Sequence, residues 1–73
     1  MKKQHVIVID PEIQSGAPVF AGTRVPVKNL FDYLEAGDSL EVFLNEFPSV
    51  TRKMAIIALE EAQSALINDA HPV

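Results

Sequence analysis

The fold of this chain is decided by residues 26–67, which read PVKNLFDYLEAGDSLEVFLNEFPSVTRKMAIIALEEAQSALI. Within this stretch, apolar side chains recur every three to four positions, the spacing of amphipathic helices. Gly37 and Pro48 interrupt the pattern, because glycine readily adopts the left-handed conformation that ends a helix and proline cannot continue one. The stretch therefore predicts three helices joined by short turns.

The first two predicted helices have recognisable starts. Pro26 suits the first helical position, where a missing N–H is no loss, and the helix that follows ends before Gly37. The second helix starts after Asp38, and the spacing of Asp38 and Glu41 resembles a capping box. The two apolar stripes consist of Val27, Leu30, Phe31 and Leu34, and then of Leu40, Phe43, Leu44 and Phe47.

The third predicted helix covers residues 52–67, with Thr51 as its N-cap. Ile56 and Ile57 fall outside its apolar stripe, which indicates either a contact with another protein or a helix buried on two sides. Residues 68–73 are expected to fray. The apolar stripe consists of Met54, Ala55, Ala58, Leu59, Ala62, Ala65 and Leu66.

Residues 1–25 predict a β-hairpin or a pair of extended arms. A β-branched run favours a strand that ends at Asp10, and Val19–Phe20 favours a second one. Two short strands are marginal alone, so they must pack on the helices or pair with a second chain. The strand residues that are candidates for a dimer or partner interface are Val6, Ile7, Val8 and Ile9.

The chain is thus predicted to be mainly α and to form one domain over residues 1–73: a β arm (1–25), a tri-helical helix-turn-helix-like region (26–67) and a tail (68–73). With 73 residues and 48% apolar composition, it matches a small globular domain rather than a disordered chain. A domain this short gains stability from oligomerisation, so a homodimer or a hetero-oligomer is expected.

Composition also bears on chemistry and location. The chain has no cysteine, and its two histidines stand near opposite ends, so we expect no disulfide, no metal site and no cofactor. No local catalytic signature is present, so catalysis is not expected. We find no apolar run long enough for a bilayer span or a signal peptide, and we therefore expect a cytoplasmic protein without a membrane partner.

Charge is unevenly distributed along the chain, whose net charge is −4. Residues 29–50 carry five carboxylates and no cation, so Asp32, Glu35 and Glu41 are candidates for contact with a basic protein. Cations and hydroxyls near the third helix could form a local nucleic-acid face, but for any one of these residues a plain cap or a solvated charge is the better interpretation. The candidate DNA-binding residues are Ser49, Thr51, Arg52, Lys53, Lys28 and Arg24.

A structural motif precedes the first helix. Gly22 is expected to have a positive φ, and Arg24 to hold the turn through a hydrogen-bond fork, or else to bind a carboxylate or phosphate. The residues assigned to this motif are Gly16, Pro18, Gly22, Thr23 and Arg24.

Three segments together carry a family resemblance: GAPVFAGTRVPV at residues 16–27, LEAGDS at 34–39 and EFPSVT at 46–51. Over about residues 6–66 the chain resembles the small bacterial family called domain of unknown function 433. It departs from the family pattern at Ala17, where a second glycine is common, and at Arg52 and Lys53, where acidic or polar residues are common.

The resemblance implies a helix-turn-helix-like fold and a role as the VapB-like antitoxin of a type II toxin–antitoxin pair. It further implies that the protein partner is a PIN-like ribonuclease toxin and that the antitoxin represses its own promoter by binding operator DNA. Two alternatives stay open: a stand-alone DNA-binding regulator without a toxin, and a purely structural adaptor.

Overall fold

The computed structural model describes residues 6–69. A two-stranded antiparallel hairpin precedes three helices, which confirms the predicted fold class. One 3-10 turn, Gln14–Gly16, lies in the loop between the strands. The elements are β1 (Ile7–Val8), β2 (Val19–Phe20), α1 (Val27–Glu35), α2 (Leu40–Glu46) and α3 (Arg52–Asp69).

The hairpin is shorter than the β-branched run that predicts it. Ile7 pairs with Phe20 and Val8 with Val19, so each strand has two residues. The ladder ends at Val8, two residues before the predicted end at Asp10. The Asp10 Oδ1 accepts the Glu12 backbone N–H at 2.9 Å and so stabilises the turn that follows.

Local hydrogen bonds correct two predicted helix starts. Pro26 is the N-cap of α1 and has an extended backbone, because it forms a β-bridge with Val19 and so belongs to the hairpin side of the junction. At α2 the cap is Ser39 rather than Asp38, since the Ser39 Oγ accepts the Val42 backbone N–H at 3.3 Å.

The third helix begins as predicted and ends later than predicted. The Thr51 hydroxyl oxygen accepts the Met54 backbone N–H at 3.1 Å and caps the helix. The helix then runs 18 residues to Asp69, so residues 68 and 69 are helical and not frayed. The rest of the predicted tail, residues 70–73, lies outside the described residues.

The core lies between β2, α1, α2 and the first half of α3. Phe20, Leu30 and Phe43 are completely buried. Ala55 and Ala58 are the residues of α3 that are buried in the same core cluster. The ring centroid of Phe43 lies 6.1 Å from that of Phe20, 5.7 Å from that of Tyr33 and 5.0 Å from that of Phe47.

Candidate functional site

The predicted nucleic-acid residues at the start of α3 are all exposed. Ser49, Thr51, Arg52 and Lys53 lie within one turn of the helix start. The Thr51 hydroxyl is already engaged as the cap, and the Arg52 guanidinium forms an ion pair with Glu41 of α2. Lys53 is therefore the one cation of this group that has no ion pair among residues 6–69.

Lys28 is not part of that group. Its ammonium nitrogen lies 2.9 Å from Asp32 Oδ1 within α1. The hydrogen bond to Asp32 and the charge of Asp32, with a smaller effect of Glu35, raise the pKa of Lys28. Lys28 also lines the same groove as Glu61, which is nine residues after Arg52 and so about 14 Å further along α3. The structure thus separates Lys28 from the α3 start.

The turn before α1 is held by Thr23 rather than by Arg24. The Thr23 hydroxyl donates to the Phe20 carbonyl at 2.8 Å and accepts the Val25 N–H at 3.0 Å. Gly22 has φ +75°, a conformation that favours glycine. Arg24 is exposed, and its guanidinium makes no hydrogen bond or ion pair in the described part of the chain, so the predicted fork is not formed.

The other two residues of the predicted motif lie in the hairpin loop. Gly16 ends the 3-10 turn with φ +88°. The Pro18 carbonyl accepts the Val27 backbone N–H at 2.9 Å, which joins the loop to the start of α1. Pro18, Gly22, Thr23 and Arg24 therefore lie at the junction between the hairpin and the helices, whereas Gly16 lies in the hairpin loop.

An open apolar groove lies between β1, α1 and α3. Its volume is about 460 Å³. Ile9 lies on its edge and is 68% exposed, whereas Val6, also predicted for an interface, is buried in the domain's own core. Val8 is exposed. The groove has apolar side chains on three sides, contributed by Ile7, Ile9, Val27, Phe31, Ala58 and Ala62.

The apolar stripe of α3 continues beyond the domain's own core. The sequence predicts that Ala65 and Leu66 are buried, but both are exposed, and 73% of Leu66 is accessible. The reason is length: α3 has 18 residues, while α1 has nine and α2 seven, so its last turns extend past the helices that would cover them. The sequence does contain a signal for this exposed end, because the predicted apolar stripe of the third helix is longer than the stripes of the first two helices.

A second exposed apolar surface lies on another side of α3. We call it the outer face and define it by Ile56, Glu60, Gln63 and Ile67, whose spacing places them on one side of a helix. Ile56 is 38% and Ile67 63% exposed. Ile57 is half-buried, so the two isoleucines of the predicted pair differ in exposure.

The acidic residues that were predicted to contact a basic protein do not form a single patch. Asp32 is paired with Lys28, and Glu41 is paired with Arg52. Glu35 is exposed at the end of α1. Among residues 6–69 we find no group of three or more histidine or acidic side chains that could hold a metal ion. No helix in the same range is long and apolar enough to span a bilayer.

Comparison with known proteins places the chain in a family. The family profile described as "Protein of unknown function (DUF433)" matches residues 7–62. The chain is also similar to the uncharacterized protein y4eO of Sinorhizobium fredii (strain NBRC 101917 / NGR234), with 38% identity over 47 residues, which are 64% of this chain and 21% of that protein. The chain thus spans about a fifth of the length of this relative, and no solved structure matches it. On the match over residues 7–62, the chain belongs to the DUF433 family.

Proposed function

We propose that the chain is the antitoxin of a type II toxin–antitoxin pair, which neutralises a PIN-like ribonuclease toxin by direct binding and regulates its own operon by binding DNA. The toxin and the DNA come from the family resemblance. The structure supports the narrower statement on which this proposal depends, namely that the domain is a protein-binding module.

The observation that carries the proposal is the outer face of α3. Ile56 and Ile67 lie eleven residues apart, so they mark an exposed surface about 16 Å long. Glu60 lies between them and gives this surface an acidic character. A ribonuclease that binds RNA presents cations, so an acidic and apolar helix face suits such a partner.

The stand-alone regulator has less support. Affinity for DNA increases with the number of cations presented to phosphates. At the start of α3, Arg52 is already engaged by Glu41, which leaves Lys53 as the cation without an ion pair in the described range. In the proposed complex the toxin supplies further cations for DNA binding.

The test is co-expression with the product of the adjacent gene. If that product alone stops growth, and this chain restores growth and co-purifies with it, the proposal is supported. Ile56→Asp and Ile67→Asp are then expected to abolish rescue, because each places a charge in the contact. Val42→Asp is the matched control, since Val42 is 40% exposed but lies on α2. A harmless neighbour, or one that never co-purifies, refutes the antitoxin and favours the regulator.

A further inference from the structure

We propose that the free edge of β1 pairs with β1 of a second copy of this chain, in an antiparallel register that places Val8 at the two-fold axis. Ile7 of each copy then lies opposite Ile9 of the other, and the two hairpins form one four-stranded sheet. The interface uses no residue of the outer face of α3 and does not depend on the toxin.

The backbone of the hairpin identifies the free edge. The Val6 carbonyl accepts the Ala21 N–H at 2.8 Å, so it faces β2. Main-chain groups of alternate residues face the same edge of a strand, so those of Val8 also face β2. The N–H and C=O groups of Ile7 face the opposite edge, and so do those of Ile9 where the extended backbone continues one residue past β1. In the described part of the chain, β1 has a neighbouring strand on the β2 side alone.

This edge lacks the features that protect exposed strands in other proteins. Such strands carry charges or prolines, or they are covered by another element. Residues 6–9 are Val-Ile-Val-Ile, and the first charge and the first proline after them are Asp10 and Pro11. Val8 is 36% and Ile9 68% exposed, so no described element covers the end of the strand. The edge is therefore available to a further strand.

The positions of the outward-facing groups favour a second copy as that strand. A two-fold interface repeats each residue pair with the roles exchanged. With Val8 on the axis, Ile7 and Ile9 form two such pairs, and each pair exchanges two N–H···O=C hydrogen bonds, so four bonds form. A register with Ile7 or Ile9 on the axis forms only two bonds between residues 6–10 of the two copies. The free groups of β1 thus complement themselves in one register.

The side chains suit the same register. Opposite residues of an antiparallel pair lie on the same face, with their Cβ atoms about 4.5–5.5 Å apart. Val8 therefore meets Val8 on one face and Ile7 meets Ile9 on the other, and β-branched side chains pack well on such a surface. Asp10 lies opposite Val6, so the register brings no like charges together. The pairing also gives a neighbour to Ile9, which the domain itself leaves exposed.

A cysteine cross-link tests the register directly, because the chain has no cysteine of its own. In the proposed dimer the two Val8 Cα atoms are about 4.5 Å apart, which a disulfide spans. Val8→Cys is therefore expected to give a disulfide-linked dimer on mild oxidation, seen on a denaturing gel.

The matched control is Ile9→Cys, because Ile9 is the more exposed of the two residues. In the same register the two Ile9 Cα atoms are about 8 Å apart, which is beyond the reach of a disulfide. This variant is expected to stay monomeric on the gel. Equal linkage of the two variants, stronger linkage of Ile9→Cys, or no linkage of Val8→Cys overturns the proposal.

The second test removes the outward-facing N–H of Ile9. Ile9→Pro keeps the ladder with β2, because this N–H faces away from β2 and proline favours an extended backbone at the residue before it. Two hydrogen bonds are lost per dimer, so the dimer dissociation constant is expected to rise at least about tenfold. Ile9→Thr keeps the N–H and a β-branched side chain, and its effect is expected to be smaller.

Both variants are measured by sedimentation equilibrium over a concentration series, on the full chain without any partner. Circular dichroism checks that they keep the helical content of the wild type. A wild-type chain that stays monomeric up to its solubility limit, or equal effects of the two changes, overturns the proposal.

Failure of this interface and failure of the antitoxin proposal are distinguishable. The dimer is measured on the chain alone, whereas growth rescue requires the neighbouring product. An edge that pairs with a strand of a different protein would leave the isolated chain monomeric in both tests, which also overturns the proposal.

Discussion

Replacing Phe43 with leucine tests whether the aromatic cluster holds the hairpin and the helices together. Phe43 is completely buried and has ring contacts with Phe20, Tyr33 and Phe47. Each aromatic pair contributes about 0.5–1.5 kcal/mol beyond area burial, but contacts that share one ring are not additive. We therefore expect Phe43→Leu to lower the free energy of unfolding by about 2 kcal/mol.

That loss is large for a chain of this size. A domain of 73 residues has a total stability of about 4–11 kcal/mol. A loss of about 2 kcal/mol corresponds to a fall of about 8–16 °C in Tm. The assay is thermal and urea unfolding followed by circular dichroism, at a fixed protein concentration because a dimer makes Tm depend on concentration.

The matched control is Val42→Ala in the same helix. Val42 is exposed and next to Phe43, so its truncation is expected to change stability by less than about 0.5 kcal/mol. If Phe43→Leu changes Tm no more than Val42→Ala does, the ring contacts do not stabilise the fold and the description of the core is wrong.

Three further predictions concern the junction, the acidic surface and the response to pH. Thr23→Val keeps the shape of the side chain but removes both hydroxyl hydrogen bonds. Urea unfolding is expected to show that the free energy of unfolding falls by about 1–2 kcal/mol. An unchanged urea midpoint would contradict the role of Thr23 in holding the turn. If the proposed toxin binds, Glu35→Lys is expected to weaken that binding in calorimetry with a smaller effect at high salt, and equal affinity would exclude this carboxylate from the contact. The Lys28–Asp32 pair is expected to stabilise the fold fully from neutral pH up to 10.5, the ordinary lysine pKa, and to lose its effect as pH rises through the raised pKa of Lys28. Asp32→Asn should remove this alkaline dependence of the unfolding curve, and an identical curve would show that the pair is not responsible.

Much of the fold follows from signals that act within a few residues. Gly37 has φ +93° and ends α1, and the Thr51 hydroxyl caps α3. Such positions are predictable because a backbone conformation or a cap depends on the residue itself and its immediate neighbours. The helical spacing of apolar residues likewise identifies the face of each helix that turns inward.

The remaining features were decided by the relative placement of the elements. The sequence alone does not show that Pro26 joins the hairpin through Val19, or that Arg52 is engaged by Glu41. The same holds for Leu66, whose position in the stripe is typical of a core residue although its side chain is exposed.

The physical reason is that periodicity specifies the direction in which a side chain points but not whether another element reaches it. The sequence determined three helices, the inward-facing sides of their first turns and half of their ends. Only the tertiary structure decided where the core stops along α3, because that depends on how far the nine residues of α1 and the seven of α2 extend beside an 18-residue helix. The surface proposed for the partner lies on α3, where Ile56 and Ile67 remain exposed.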